Sequence, residues 1–306
     1  MNNTYAINYA CYGTWTQAML NININPIAQF QCGANKDSQD KTALHLLESN
    51  YPSVPIKHEQ ADIVVGSPPC INFSHANPNR RDDAPSNQHF VNAFEYANIY
   101  AKKAFLFEIV PPAITSAYYP IANKKASRFN IAYTIVDISE YGSAQKRTRA
   151  YILGIEHKYN KHAGLYLDKF IETQKRPFIH PYTILHKVEA KYNKVPEDNR
   201  VKFSYYRTDG EKRAGAFNTL STAPYYIPEH APTRTIVGAS CYWQHWNRKR
   251  MLAAPEVAML MGLPESYIND KGNPLVKCDK IAKGVDVRFT SHLLEYLNTT
   301  LFTKLH

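Results

Sequence analysis

Short apolar runs alternate with stretches of helical periodicity through the first half of the chain. Tyr5–Tyr9, Ala61–Gly66, Ala104–Val110, Thr134–Ile138 and Arg149–Ile155 are apolar runs of strand length and read as buried strands. Between them, Lys41–Glu48 and Phe90–Lys103 carry apolar side chains at helical spacing. This alternation predicts an α/β fold with a mostly parallel sheet. From about residue 157 the pattern turns irregular, with prolines at 177, 181, 196, 224, 228 and 232. Helical periodicity returns in Pro255–Met261 and Phe289–Leu301. The expected organisation is a discontinuous α/β unit from residues 1–156 and 249–306, with an irregular β-rich unit at 157–248 inserted between its parts.

Charge divides near the same boundaries. Residues 157–250 hold 17 Lys and Arg against 8 Asp and Glu, whereas the other 212 residues hold 19 against 18. Nearly all of the net +10 therefore lies in the inserted segment, among aromatics such as Tyr205, Tyr206, Trp243 and Trp246. Such a segment is either a polyanion-binding surface or a solvated basic face. There is no run of 18 apolar residues and no basic-then-apolar leader, so neither a membrane span nor secretion is expected. Cys11, Cys32, Cys70, Cys241 and Cys278 form no CxxC pair and no metal-ligand spacing. The expectation is a metal-free protein of the reducing cytoplasm.

The sharpest chemical signal is Ala61–Ser74, ADIVVGSPPCINFS. A strand that stops in Pro68-Pro69 presents Cys70 from a stiff loop at the sheet edge. The thiol there is either a nucleophile or an ordinary buried cysteine. Two further segments weigh on that choice. Glu108 ends an apolar strand 38 residues later, and Gln145-Lys146-Arg147-Thr148-Arg149 opens the next one. Arg147 and Arg149 alternate, so both can project to one side.

This ordered set resembles the DNA (cytosine-5) methyltransferases. That family has a Pro-Cys loop, matched by Pro69-Cys70, and a Glu-Asn-Val strand end, matched by Glu108-Ile109-Val110. Its Gln-x-Arg-x-Arg motif is matched by Gln145–Arg149. APTRTIVG (231–238) and RMLAAPEVAMLMGLPESY (250–267) resemble its late strand and helix, so the resemblance covers nearly the whole chain. It implies a Rossmann-like, S-adenosylmethionine-dependent domain with a small target-recognition domain. It also implies a double-stranded DNA partner and a monomer. Cys70 would add to C6 of a flipped cytosine, while Glu108, Arg147 and Arg149 stabilise the charge that develops on the ring. Ser74, Gln145, Arg234 and Thr235 would meet DNA. Tyr9, Cys11, Gly13, Trp15, Asp37, Ser38, Pro68, Lys283, Gly284 and Val285 would surround the donor.

The departures from the family pattern gather on the donor side. Phe-x-Gly-x-Gly-Gly reads Tyr9-Ala10-Cys11-Tyr12-Gly13-Thr14 here, and Ile109 replaces the usual Asn. Gln-x-Gly-Asn-x-Val reads Lys280-Ile281-Ala282-Lys283-Gly284-Val285. An ammonium at Lys283 about 5 Å from a sulfonium would cost about 3 kcal/mol at an effective dielectric of ~20. A donor bearing an extra carboxylate would turn that repulsion into attraction. Carboxy-S-adenosylmethionine, giving 5-carboxymethylcytosine, is therefore one expected donor, and ordinary S-adenosylmethionine is the other. A Lys283 that faces solvent, or pairs with Asp286 or with the donor's own amino-acid carboxylate, removes the distinction. Two other classes remain open at this level: a DNA binder that has lost catalysis, and a thiol enzyme acting on free nucleotides. The basic segment disfavours the second.

Overall fold

A six-stranded sheet organises the computed structural model, which describes residues 3–30, 41–74, 77, 80–81, 83–188, 227–228, 230–237, 252–268 and 274–305. The strands are β1 (Tyr5–Asn8), β2 (Ala28–Phe30), β3 (Ala61–Gly66), β4 (Ala101–Ile109), β5 (Phe129–Asp137) and β6 (Thr148–Glu156). Their order is β2-β1-β3-β4-β6-β5. The first four are parallel, and β6 runs antiparallel to both β4 and β5.

The central strands are apolar at consecutive positions because both faces are covered. Ile63 and Val65 enter one core with Leu106, Tyr151 and Leu153. Their neighbours Val64, Phe105, Phe107 and Ile152 enter the opposite core. The period-two alternation of strand side chains thus feeds two separate layers. The first layer is closed by α1 (Thr14–Leu20), α2 (Lys41–Asn50), α5 (Ala163–Thr173) and the late helices α7 (Ala254–Leu260), α8 (Pro274–Ala282) and α9 (Val287–Thr300). The second is closed by α3 (Gln88–Tyr100) and α4 (Tyr118–Lys125), where Phe90 and Phe94 pack edge-on, 5.2 Å apart.

Three sequence expectations shift. The helix expected to reach Lys103 ends at Tyr100, because Ala101 pairs with Ala61 and opens β4. The strand expected at Thr134–Ile138 begins at Phe129, since β5 pairs with β6 along its whole length. Part of the stretch expected to be irregular is helical: α5 buries Ala163, Leu167 and Phe170, and Phe170 stacks on Tyr141. A short helix, α6 (Pro181–Leu185), follows it. Residues 189–226 and 238–251, the bulk of the expected recognition unit, lie outside the described residues.

Candidate active site

The loop that carries Cys70 starts where β3 meets the end of β1. A Cβ on Gly66 would lie 1.7 Å from the carbonyl oxygen of Asn8, so only glycine permits this approach. Next in the loop, buried Ser67 accepts a hydrogen bond from the indole Nε1 of Trp15 at 2.9 Å. Pro68 and Pro69 stiffen the exit. Beyond Cys70 the chain turns tightly, with the amides of Phe73 and Ser74 both donating to the Cys70 carbonyl at 3.1 Å. Phe73 is buried edge-on against Phe90 and Tyr118. The half-buried thiol is therefore braced on both sides. Burial pushes its pKa above the usual thiol value, and Glu108 pushes the same way. Arg149 and Arg147 oppose that rise without cancelling it.

Glu108 lies at the carboxyl end of β4 and is 3% exposed. Its Oε1 is 2.8 Å from Nε of Arg149 and 3.9 Å from Nη2 of Arg147. Among the described residues Oε1 nevertheless has no hydrogen bond of good geometry, which leaves lone-pair capacity toward the cavity. Ile109, where the family pattern has Asn, is fully buried in the opposite core and is not among the residues that line the cavity around Glu108. Cys70, Glu108, Arg147 and Arg149 line one cavity of about 580 Å³. Ser74, Thr235 and Lys283 border it as well. So do Ile71, Asn77, Thr148, Ile236 and Val237, which the sequence reading did not single out. The available signal was adjacency: Ile71 follows the thiol, Thr148 separates the arginines, and Ile236 and Val237 follow Thr235.

The two arginines do different work. Arg149 keeps its ion pair with Glu108 and donates to the carbonyl of Thr148 at 2.7 Å. Arg147 is 2% exposed and donates to the carbonyls of Gly284 at 2.7 Å, Ala282 at 3.2 Å and Ile236 at 3.4 Å. Burial lowers its pKa to about 10, with repulsion from Arg149 acting in the same direction. It fastens two stretches of backbone, one at Ile236 and one at 282–284, behind the cavity.

Gln145, expected at the DNA, is fully buried instead. Its Nε2 donates to Asp286 at 2.9 Å and contacts the sulfur of Met261, while its Oε1 accepts from the amide of Ile236 at 3.0 Å. A side chain with all its polar atoms committed inside the core has nothing left for a nucleic acid. Arg234 is exposed, and Thr235 donates to the carbonyl of Lys146 at 2.9 Å on the outer side of the same segment.

On the donor side, the carboxyl ends of β1 and β3 flank the point where strand order reverses, the usual crevice for nucleotide ligands in such sheets. The chain leaves β1 through left-handed residues Tyr9 (φ 56°), Tyr12 (φ 57°) and Gly13 (φ 88°). Two tyrosines in that region indicate a turn over-determined by its surroundings. A Cβ on Gly13 would lie 2.4 Å from the Tyr51 ring, and the Tyr267 hydroxyl donates to the carbonyl of Tyr12. The ring of Tyr9 is buried, its hydroxyl 3.3 Å from Nδ1 of His89. Trp15 is likewise buried and acts on the Cys70 loop through Ser67. Both side chains, expected against the donor, are spent on packing.

The missing family glycine after Gly13 is explained by its contact. Thr14 occupies the space in front of Gly284, where a Cβ would lie 2.5 Å from the threonine methyl. Its hydroxyl accepts from the amide of buried Val285 at 3.1 Å. Lys283, expected beside a sulfonium, pairs with Asp279 at 2.6 Å, one helical turn back. Pro68 is buried within the Cys70 loop, and Asp37 and Ser38 lie outside the described residues. Phe30 and His58, which the sequence reading passed over, bring their rings to 3.8 Å at the carboxyl end of β2. The crevice, the left-handed turn and this aromatic surface fit a nucleoside-bearing donor.

The family described as C-5 cytosine-specific DNA methylase matches residues 13–298. The type II methyltransferase M.HgiCII of Herpetosiphon aurantiacus is 26% identical over 198 residues, which are 60% of this chain and 43% of that protein. M.HgiBI of the same organism is 26% identical over 173 residues, 51% of this chain and 39% of that protein. The chain thus spans less than half the length of these relatives. Among solved structures, the Entamoeba histolytica methyltransferase EhMeth superposes with a TM-score of 0.70 at 13% identity, covering 98% of this chain and 99% of the other. The S. pombe Dnmt2 methyltransferase gives 0.62, also at 13% identity, over 98% and 99%. At these identities the likeness establishes the fold. Among the described residues no helix is long and apolar enough to cross a membrane.

Proposed function

Since the chain belongs to the C-5 cytosine-specific DNA methylase family, we propose that it transfers a methyl group from S-adenosylmethionine to C5 of a cytosine flipped out of duplex DNA. The observation that carries this reading is the cavity shared by Cys70, Glu108 and Arg149. In it a nucleophile stands opposite a carboxylate with spare acceptor capacity and a guanidinium.

The residues act in sequence on the ring. Cys70 Sγ forms a bond to C6, which moves electron density to C5 and N3. The Glu108 carboxyl faces N3 and the exocyclic amine, and Arg149 meets O2, so both stabilise the charge where it develops. The donor supplies an electrophilic methyl carbon. C5 would bond to that carbon as the methyl–sulfur bond of the donor breaks and S-adenosylhomocysteine leaves. Water reaching the cavity then takes the C5 proton, and the C6–S bond breaks to return Cys70 as a thiolate, which regains the proton the thiol gave up on addition. Because the thiol pKa is raised, addition gains from the low-dielectric pairing of the developing ring charge with Arg149 rather than from a preformed thiolate. Extracting the base from the duplex costs about a few kcal/mol. The basic residues of the inserted segment at 157–248 would contribute phosphate contacts toward that cost. The backbone of the Ala10–Gly13 turn, with Pro68 and Lys283–Val285, would hold the donor, together with Asp37 and Ser38.

Lys283 bears on the choice of donor. Its ammonium already has a carboxylate 2.6 Å away in Asp279. That internal counter-charge removes most of the electrostatic reason for a carboxylated donor and favours ordinary S-adenosylmethionine. The test is to incubate the protein and duplex DNA with each donor in turn and weigh the released nucleosides. 5-Methylcytosine is expected. Carboxymethylated cytosine would reverse the donor assignment, and an unmodified cytosine pool with both donors would overturn the enzymatic reading.

A further inference from the structure

Between α8 and α9 the chain passes from Lys283 to Asp286 without regular structure, and side chains from the two halves of the site hold it in place. On the donor side, Thr14 accepts from the amide of Val285 at 3.1 Å, and its methyl leaves no room for a Cβ at Gly284. On the target side, Arg147 donates to the carbonyls of Gly284 and Ala282 at 2.7 and 3.2 Å. The same guanidinium lies 3.9 Å from Glu108. At the far end Asp286 accepts from Ser143 at 2.7 Å and from Gln145 at 2.9 Å, and it caps α9 through the amide of Phe289.

We propose that this link is a shared wall between the donor crevice and the cytosine cavity, with Thr14 and Arg147 as positioning residues that transmit displacement across it. The proposal rests on the methyltransferase reading. Its physical basis is the absence of slack. Thr14, Gly284 and Val285 are buried, and Arg147 and Glu108 are 2% and 3% exposed, so the hydrogen bonds at Gly284 and Val285 have little water at hand to replace them when stretched. Close packing at Gly284 means that a shift of the loop around Gly13 and Thr14 must move the 284–285 backbone. That movement displaces the carbonyls to which Arg147 is tied, and through Arg147 the Glu108–Arg149 pair. Donor and target therefore sense one another through backbone, and the linkage is reciprocal.

The experiment measures the Kd of a cytosine-containing duplex with and without S-adenosylhomocysteine, and the Kd of S-adenosylhomocysteine with and without the duplex. The wild type is expected to show the same enhancement in both directions, on the order of 5- to 150-fold. Thr14→Val keeps the shape but removes the acceptor, and should bring both ratios toward unity while leaving duplex affinity without S-adenosylhomocysteine unchanged. Thr14→Ser keeps the acceptor and should retain the enhancement. Arg147→Lys, which cannot hold two carbonyls with one planar group, should lose it as well. A folded Thr14→Val protein with full enhancement, or a wild type in which both ligands bind without affecting one another, overturns the proposal alone. A wild type that binds neither ligand overturns the reading beneath it.

Discussion

Replacing Glu108 by Gln removes one charge and keeps the side-chain volume, which makes it a sharp probe of the site. Glu108 is 3% exposed and is 2.8 and 3.9 Å from the two guanidinium groups. At an effective dielectric of ~20 those separations correspond to gross attractions of about 6 and 4 kcal/mol. The net cost of stranding buried charges is smaller, about 3–5 kcal/mol of stability. In catalysis, losing the group that faces N3 should lower kcat by about 10²–10³, the usual cost of one preorganised electrostatic partner. A second effect has the opposite sense. Glu108 helps to raise the Cys70 pKa, so the Gln variant should have a more acidic thiol. Its alkylation by iodoacetamide, followed at the Cys70 peptide by mass spectrometry, should rise at lower pH than in the wild type. Methyl transfer to duplex DNA and urea unfolding complete the assay. A variant with near-wild-type kcat, or a Cys70 alkylation curve displaced to higher pH, would refute the assignment of Glu108 as the group facing both base and thiol.

Three other outcomes follow from the same coordinates. Gln145→Ala should cost about 1–3 kcal/mol, because it leaves the amide of Ile236 without its acceptor and takes one of three donors from Asp286, yet duplex affinity of the folded variant should not change; a clear loss of affinity at full stability would return Gln145 to the DNA. Gly66→Ala should destabilise by about 3 kcal/mol or more in urea titrations, since the new methyl would lie 1.7 Å from a backbone oxygen, and unchanged stability would contradict the strand spacing. His292 titrates near 4 in the fold because burial, and then Arg176, disfavour its cation, against 6.5 when exposed. Between those values the unfolded chain binds more protons, so stability should fall as pH drops from 6.5 toward 4. His292→Phe, which keeps the ring beside Phe170, should flatten that slope, and an unaltered slope would assign it to other groups.

Much of the catalytic half was legible because its signals are local. A strand that ends in Gly66-Ser67-Pro68-Pro69 can only deliver Cys70 at the sheet edge, and Glu108 reaches the same edge on β4, one strand over. Strand alternation also anticipated that Arg147 and Arg149 project to one side, where both come near Glu108. What alternation cannot reveal is how a long side chain spends its donors: Arg147 serves three backbone carbonyls from distant segments, and Gln145 serves Asp286. Those partners lie 89 to 141 residues away in sequence. The donor side was harder for a related reason. Thr14 looked like a defect in a glycine motif until Gly284 was seen opposite it, a size exchange visible only when both loops are in contact. Lys283 likewise changes meaning once Asp279 lies beside it on the preceding helical turn. The helix α5 escaped notice because the irregular stretch around it dominates the pattern, although Ala163, Leu167 and Phe170 do fall at helical spacing.

The central claim is that the sulfur of residue 70 becomes covalently attached to a cytosine ring. A duplex carrying 5-fluorocytosine cannot release the thiol once C5 has been alkylated, so it should trap the complex. With S-adenosylmethionine present, the account predicts a denaturant-stable adduct whose modified peptide contains Cys70, and none with Cys70→Ser. An adduct on another residue, or sustained methylation by Cys70→Ser, would contradict it.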